Sequence, residues 1–70
     1  MKFHIMDHSG HSTIEFTAEQ NAEAEMKFKA LIEGGKTAAT RKEGTTDYTV
    51  TRSFDPTADE ALFVPHLKGG

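Results

Sequence analysis

Residues 2–20, KFHIMDHSGHSTIEFTAEQ, contain a strand-type pattern followed by the start of a helix. Apolar and polar residues alternate over residues 2–7 and again over 13–17, and the polar residues 8–12 between them include a glycine. Alternation on both sides of such a turn predicts a β-hairpin. The side chains predicted on its buried face are Phe3, Ile5, Ile14 and Phe16.

A helix is predicted to follow the hairpin directly. Thr17 and Gln20 have the spacing of a capping box, in which each residue satisfies a backbone amide of the other. Gly34 and Gly35 indicate where the helix ends, because glycine is common at helix C-termini. The apolar stripe predicted to face the sheet consists of Ala24, Phe28, Leu31 and Ile32.

Three further strands are predicted beyond the helix. Residues 36–41 are a candidate strand with little apolar content, and the alternation over residues 47–54 predicts its antiparallel partner. A turn is expected at residues 55–60, followed by a short last strand at residues 62–64. The element order β-β-α-β-β-β therefore predicts an α+β fold, in which one helix packs across a mixed sheet.

Composition restricts both the size of the fold and the classes of function. Seventy residues with 36% hydrophobic content can form one small core, so a single domain is expected. The lack of cysteine excludes disulfides and thiol catalysis by this chain. A net charge of −3 argues against nucleic acid as the main ligand. Without a long apolar stretch or a signal-peptide pattern, the chain is expected to be soluble and cytoplasmic.

The last residues of the chain form a distinctive ending, in which an apolar strand leads into a leucine, a basic residue and two glycines. These four residues are Leu67, Lys68, Gly69 and Gly70. The ending is similar to the tail of ubiquitin, and residues 1–5 with Gly10 in the first turn are similar to its opening. Residues 36–55 show no motif resemblance. The resemblance to the ubiquitin-like β-grasp family implies a β-grasp domain over residues 1–66 and a flexible tail over residues 67–70.

The resemblance also implies a function. A ubiquitin-like modifier or carrier is activated at its C-terminal carboxylate, here that of Gly70, by an adenylating enzyme. The tail must enter a narrow cleft, and glycine suits it because it has no Cβ. The chain would then be a substrate rather than an enzyme and would need no cofactor. Its expected partners are the adenylating enzyme and target or acceptor proteins, and it is expected to be a monomer.

Two features depart from the ubiquitin pattern. Pro65 has no N–H, so either the last strand ends by Val64 or the proline lies where no ladder bond is needed. The sheet surface that is apolar in ubiquitin is expected to be more polar here, so recognition by ubiquitin-binding domains is not implied. The residues expected on that surface are His4, Met6, Thr49 and His66.

Two alternative functions remain open from the sequence. One is a non-catalytic β-grasp interaction module, for which the two terminal glycines have no role. The other is a metal- or pH-responsive module built on His4, His8 and His11, since zinc accepts imidazole ligands. The spacing of these histidines matches no established metal site, and no metal ligand is assigned.

Overall fold

The computed structural model describes residues 1–65 as one helix packed on a five-stranded mixed sheet. A 3₁₀ turn at Ala18–Gln20 precedes the helix. The regular elements are β1 (Lys2–Asp7), β2 (Gly10–Glu15), α1 (Asn21–Glu33), β3 (Lys36–Lys42), β4 (Thr49–Thr51) and β5 (Ala58–Pro65). The predicted α+β class and the predicted order of elements are confirmed.

The strands lie in the order β2-β1-β5-β3-β4. The first and last strands, β1 and β5, pair in parallel from Lys2 opposite Glu60 to Ile5 opposite Phe63. All other neighbours are antiparallel. The last described strand therefore occupies the centre of the sheet, between β1 and β3.

The first hairpin forms as predicted, but its turn is shorter than the predicted residues 8–12. Asp7 pairs with Gly10, so only two residues form the turn. The Asp7 carboxylate accepts hydrogen bonds from the Ser9 amide at 2.8 Å and from the Ser9 hydroxyl at 2.7 Å. Gly10 has a φ of +146°, which a glycine adopts without steric cost. This local bonding tightens the turn and lengthens β2 at its start.

The capping box predicted before the helix is present. The Gln20 side chain accepts from the Thr17 amide at 2.9 Å, which is the reciprocal bond of the capping box. The Gln20 amide also donates to the Thr17 backbone carbonyl at 2.9 Å, which closes a 3₁₀ turn. These residues enclose a 3₁₀ turn, so the α-helix proper begins only at Asn21. Gly34 caps the C-terminus, and Gly35 leaves the helix with a φ of +99°. The glycine pair therefore ends the helix as predicted.

The two strands after β3 differ from their predicted lengths. β4 spans three residues instead of residues 47–54, because the Thr51 hydroxyl accepts from the Ser53 amide at 3.1 Å and the chain bends there. β5 starts earlier than predicted, since the turn before it is tight. The Asp55 carboxylate accepts from the Thr57 amide at 2.9 Å, and the strand begins at the next residue, Ala58.

The core lies between the helix and one face of the sheet, and three phenylalanines from β1, α1 and β5 are its largest fully buried side chains. The ring of Phe63 lies 4.9 Å from that of Phe3 and 5.4 Å from that of Phe28. The predicted helix stripe and hairpin face both contribute, with Ile14, Leu31 and Ile32 partly buried at the margin. The buried core residues are Phe3, Ile5, Phe16, Ala24, Phe28, Ala38, Ala61 and Phe63.

We expect Phe63→Ala to lower the free energy of unfolding by about 3–5 kcal/mol, because it removes a fully buried ring from between two others. This loss is comparable with the whole stability of a domain of this size. Urea denaturation followed by circular dichroism measures it, and Phe63→Leu serves as a milder variant that keeps most of the volume. Met26→Ala, at a side chain that is 73% exposed, is the control and should change stability by less than about 0.5 kcal/mol. Equal effects of the Phe63 and Met26 variants would contradict this account of the core.

Candidate functional site

The predicted activation tail, Leu67, Lys68, Gly69 and Gly70, lies outside the described residues, as does His66. The strand that leads toward this tail is described in full. β5 is the central strand and pairs with β1 on one side and β3 on the other. The start of the tail is therefore attached to the most constrained strand of the sheet.

Pro65 is the last residue of β5 and lies opposite Lys36 of β3. Pairing with β1 stops two residues earlier, at Phe63. Because Pro65 has no N–H, it cannot donate a ladder bond to β1. The Lys36 ammonium instead donates to the carbonyl of Met6 at 3.1 Å, across the end of β5. The second of the two expectations for Pro65 is thus the correct one: β5 continues to the proline, which lies where no bond to β1 is made.

The face of the sheet that points away from the helix, here called the outer face, carries a polar network across its centre. Glu60 lies between His4 and Arg41, because the register places Arg41 opposite it and His4 two residues along the neighbouring strand. The Nε2 atom of His4 lies 2.5 Å from one Glu60 oxygen, and Arg41 donates to the other. Arg41 also contacts Asp59 at 2.9 Å. We call the side chains of His4, Glu60 and Arg41 the His4–Glu60–Arg41 network.

The network extends beyond its three members on both sides. Arg41 donates to the carbonyl of Thr45 at 2.8 Å, which holds the loop that follows β3. The Nδ1 atom of His4 lies 3.4 Å from the hydroxyl of Thr13 on β2. A hydroxyl can donate or accept, so this contact is compatible with either protonation state of Nδ1. Polar contacts therefore connect β2, β1, β5 and β3 on one face.

The network shifts the pKa of Glu60. The hydrogen bond from His4 and then that from Arg41 hold the pKa of this carboxyl below its ordinary value of 4.5, because both favour the ionised form. The pKa values of Asp7 and Asp55 are lowered as well, mainly by hydrogen bonds from Ser9 and Thr57 in the two tight turns. Glu60 differs from these aspartates because its partners come from other strands.

The histidines proposed as metal ligands are not brought together as a site. His4 is engaged by Glu60, and its ring stacks against that of His11 with centroids 6.1 Å apart. His8 lies in the hairpin turn. Within residues 1–65, no group of three or more histidine or acidic side chains is arranged to hold a metal ion.

The outer face is also less polar than expected beside the network. Thr49 was expected there, but the register places Val50 on this face instead, opposite Ala39. Ala39 in turn pairs with Leu62. Val50 is 71% exposed and Met6 is 40% exposed, while Leu62 is half-buried. An apolar row therefore borders the polar network.

Sequence reasoning placed His4 on the outer face but missed its partners. Arg41 was predicted within a strand, whereas Glu60 was predicted in a turn because β5 was expected to begin at Leu62. The missed signal is the alternation itself. Glu60 is two residues before Leu62, so extending the strand by one period places both on the same face.

Comparison of the chain with protein-family models, with curated proteins and with solved structures finds no match. No helix in residues 1–65 is long and apolar enough to cross a membrane.

We expect Glu60→Gln to lower the free energy of unfolding at about pH 7 and to matter less at about pH 3. The folded pKa of Glu60 is lowered, so its contribution is complete above 4.5 and is lost as the pH falls through the folded value. Urea denaturation at several pH values measures the difference between the two proteins. Glu43→Gln, in the exposed turn after β3, is the matched control. Its free energy of unfolding should depend on pH in the same way as that of the wild type. If the free energy of unfolding of Glu60→Gln has the same pH dependence as that of the wild type, the network adds no stability.

Proposed function

We propose that this chain is a ubiquitin-like protein of the β-grasp type, and that it acts as a modifier or carrier activated at the Gly70 carboxylate. The strand order β2-β1-β5-β3-β4, with its parallel central pair and one helix across the sheet, carries the proposal. The N-terminal hairpin, the helix that follows it and the last strand near the C-terminus resemble the β-grasp fold of ubiquitin-like proteins. The coincidence of this arrangement with the ending Leu67-Lys68-Gly69-Gly70 supports a role for the tail.

The position of β5 suits this function. An activating enzyme needs the reactive carboxylate at a defined distance from the surface that it grips. β5 is bonded on both sides and ends at Pro65, and Lys36 bridges its end to β1. The point from which residues 66–70 continue is thus fixed relative to the outer face. The two glycines add no side chains that would obstruct a narrow cleft.

The chemistry requires no catalytic side chain from this protein. A carboxylate oxygen of Gly70 attacks the α-phosphate of ATP, and pyrophosphate leaves. The resulting acyl-adenylate then transfers the acyl group to an amine, a thiol or a sulfur donor, and AMP leaves. Because this chain has no cysteine, any thioester must form on a sulfur of a partner protein.

The test incubates the chain ending at Gly70 in a lysate of its own source cells, with and without ATP, and follows its intact mass. We expect ATP-dependent products that retain the tail. Exchange of one carboxylate oxygen for sulfur would identify a carrier, and Gly-Gly remnants on lysines of other proteins would identify a modifier. Two matched controls, a chain lacking Gly70 and a chain extended by one alanine, should form neither product.

Circular dichroism of the controls is compared with that of the wild type, to establish that each control chain is folded. Equal product formation by the wild type and both controls would rule out activation at Gly70. A stable protein complex that persists after deletion of residues 68–70, without ATP-dependent products, would instead favour the alternative of a non-catalytic interaction module.

A further inference from the structure

The β2 edge of the sheet has unpaired backbone groups that can be identified from the register. Met1 and Phe16 exchange two backbone hydrogen bonds, each of 2.8 Å. In an antiparallel ladder such pairs alternate with non-bonded pairs. The residues of β2 whose amide and carbonyl point away from β1 are therefore His11, Thr13 and Glu15. Within residues 1–65 no strand lies on that side of β2.

This edge is longer and more regular than the opposite edge of the sheet. The opposite edge, β4, is only three residues long, which limits its ability to pair. β2 is six residues long and contains no proline or lysine, and its pairing with β1 has no bulge. Exposed edges with such regular geometry readily accept another strand. Of the two sheet edges in residues 1–65, β2 is therefore the better suited to pair with another strand.

We propose that β2 pairs with β2 of a second copy of this chain, antiparallel and centred on Thr13. In this register Thr13 lies opposite Thr13 of the second copy, and His11 lies opposite Glu15 of the second copy, twice by symmetry. All three outward-pointing residues of each strand then form bonded pairs. The imidazole and the carboxylate face each other on the outer face, where an imidazole N–H can donate to a carboxylate across the strands.

Other registers leave more of the outward-pointing amides and carbonyls of β2 without a hydrogen bond. Centring the two strands on Ser12 would place His11 opposite Thr13 and leave Glu15 beyond the ladder. Centring them on Ile14 would place Thr13 opposite Glu15 and leave His11 facing Thr17, outside β2. The number of bonded pairs, together with an imidazole opposite each Glu15, therefore selects the Thr13-centred register. In this proposal the chain, which is expected from its sequence to be a monomer, is in a concentration-dependent equilibrium between monomer and dimer.

A single strand edge buries less surface than stable dimers need, so we expect association only at high concentration. Analytical ultracentrifugation of the full chain from about 20 μM to about 1 mM should show the average mass rising from 7.7 kDa toward twice that value. Amide signals that shift with concentration in NMR spectra should belong to residues 10–15. A mass that stays at the monomer value throughout would exclude a second copy as the occupant of this edge.

Two substitutions at His11 test the register. His11→Lys places a cation opposite Glu15 and should leave the dissociation constant equal or lower, whereas His11→Glu places two carboxylates opposite each other and should raise it by at least about threefold. Met26→Lys and Met26→Glu on the exposed face of α1 make the same charge changes away from the edge and control for net charge. If the Lys and Glu variants at His11 behave alike, or differ no more than the Met26 pair, the Thr13-centred register is wrong.

A second pair of variants tests the backbone bonds. Thr13→Pro removes the central outward amide, whereas Thr13→Val keeps it, and both lack the hydroxyl that contacts His4. The proline variant should remain monomeric at about 1 mM, and the valine variant should still dimerise. NMR amide spectra at low concentration establish that both are folded. Dimerisation of a folded Thr13→Pro protein would overturn the proposal.

Discussion

The parallel pairing of β1 with β5 is the interaction on which the rest of the structure depends. It joins residues near the start of the chain to residues almost sixty positions later, and it places β5 between the hairpin and the β3–β4 pair. Without it, the sheet would separate into two antiparallel parts. The same pairing brings Phe3 next to Phe63, and the helix covers both with Phe28. This one long-range contact therefore completes both the sheet and the core.

The two faces of this central pair have different roles. On the helix side, alternate residues of β1 and β5 are apolar and buried. On the outer face, the intervening residues His4 and Glu60 are half-buried and compensate each other, with Arg41 completing the network. A half-buried carboxylate without such partners would be costly, because its charge would be partly desolvated. The pairing register therefore sets the electrostatics of the outer face as well as the core.

Local patterns predicted much of the fold. The hairpin, the helix with its capping box and glycine end, and the buried stripe all depend on residues close in sequence, so periodicity was sufficient. The length of β4 and the start of β5 were wrong, because the side chains of Thr51 and Asp55 form tight local turns that override the alternation. The His4–Glu60–Arg41 network was not predicted, since it depends on a strand order that no local pattern contains. The proposed activation tail was recognised by resemblance alone.

The central position of β5 has a consequence for how the chain folds during synthesis. The hairpin and the helix leave the ribosome first. However, β1 and β3 cannot be joined into one sheet until Ala58–Pro65 has emerged and inserted between them. Until then, both strands expose an open edge and Phe3 lacks its contact with Phe63. The complete sheet therefore forms only after the long-range contact between β1 and β5 is made, and contacts of such high sequence separation slow folding.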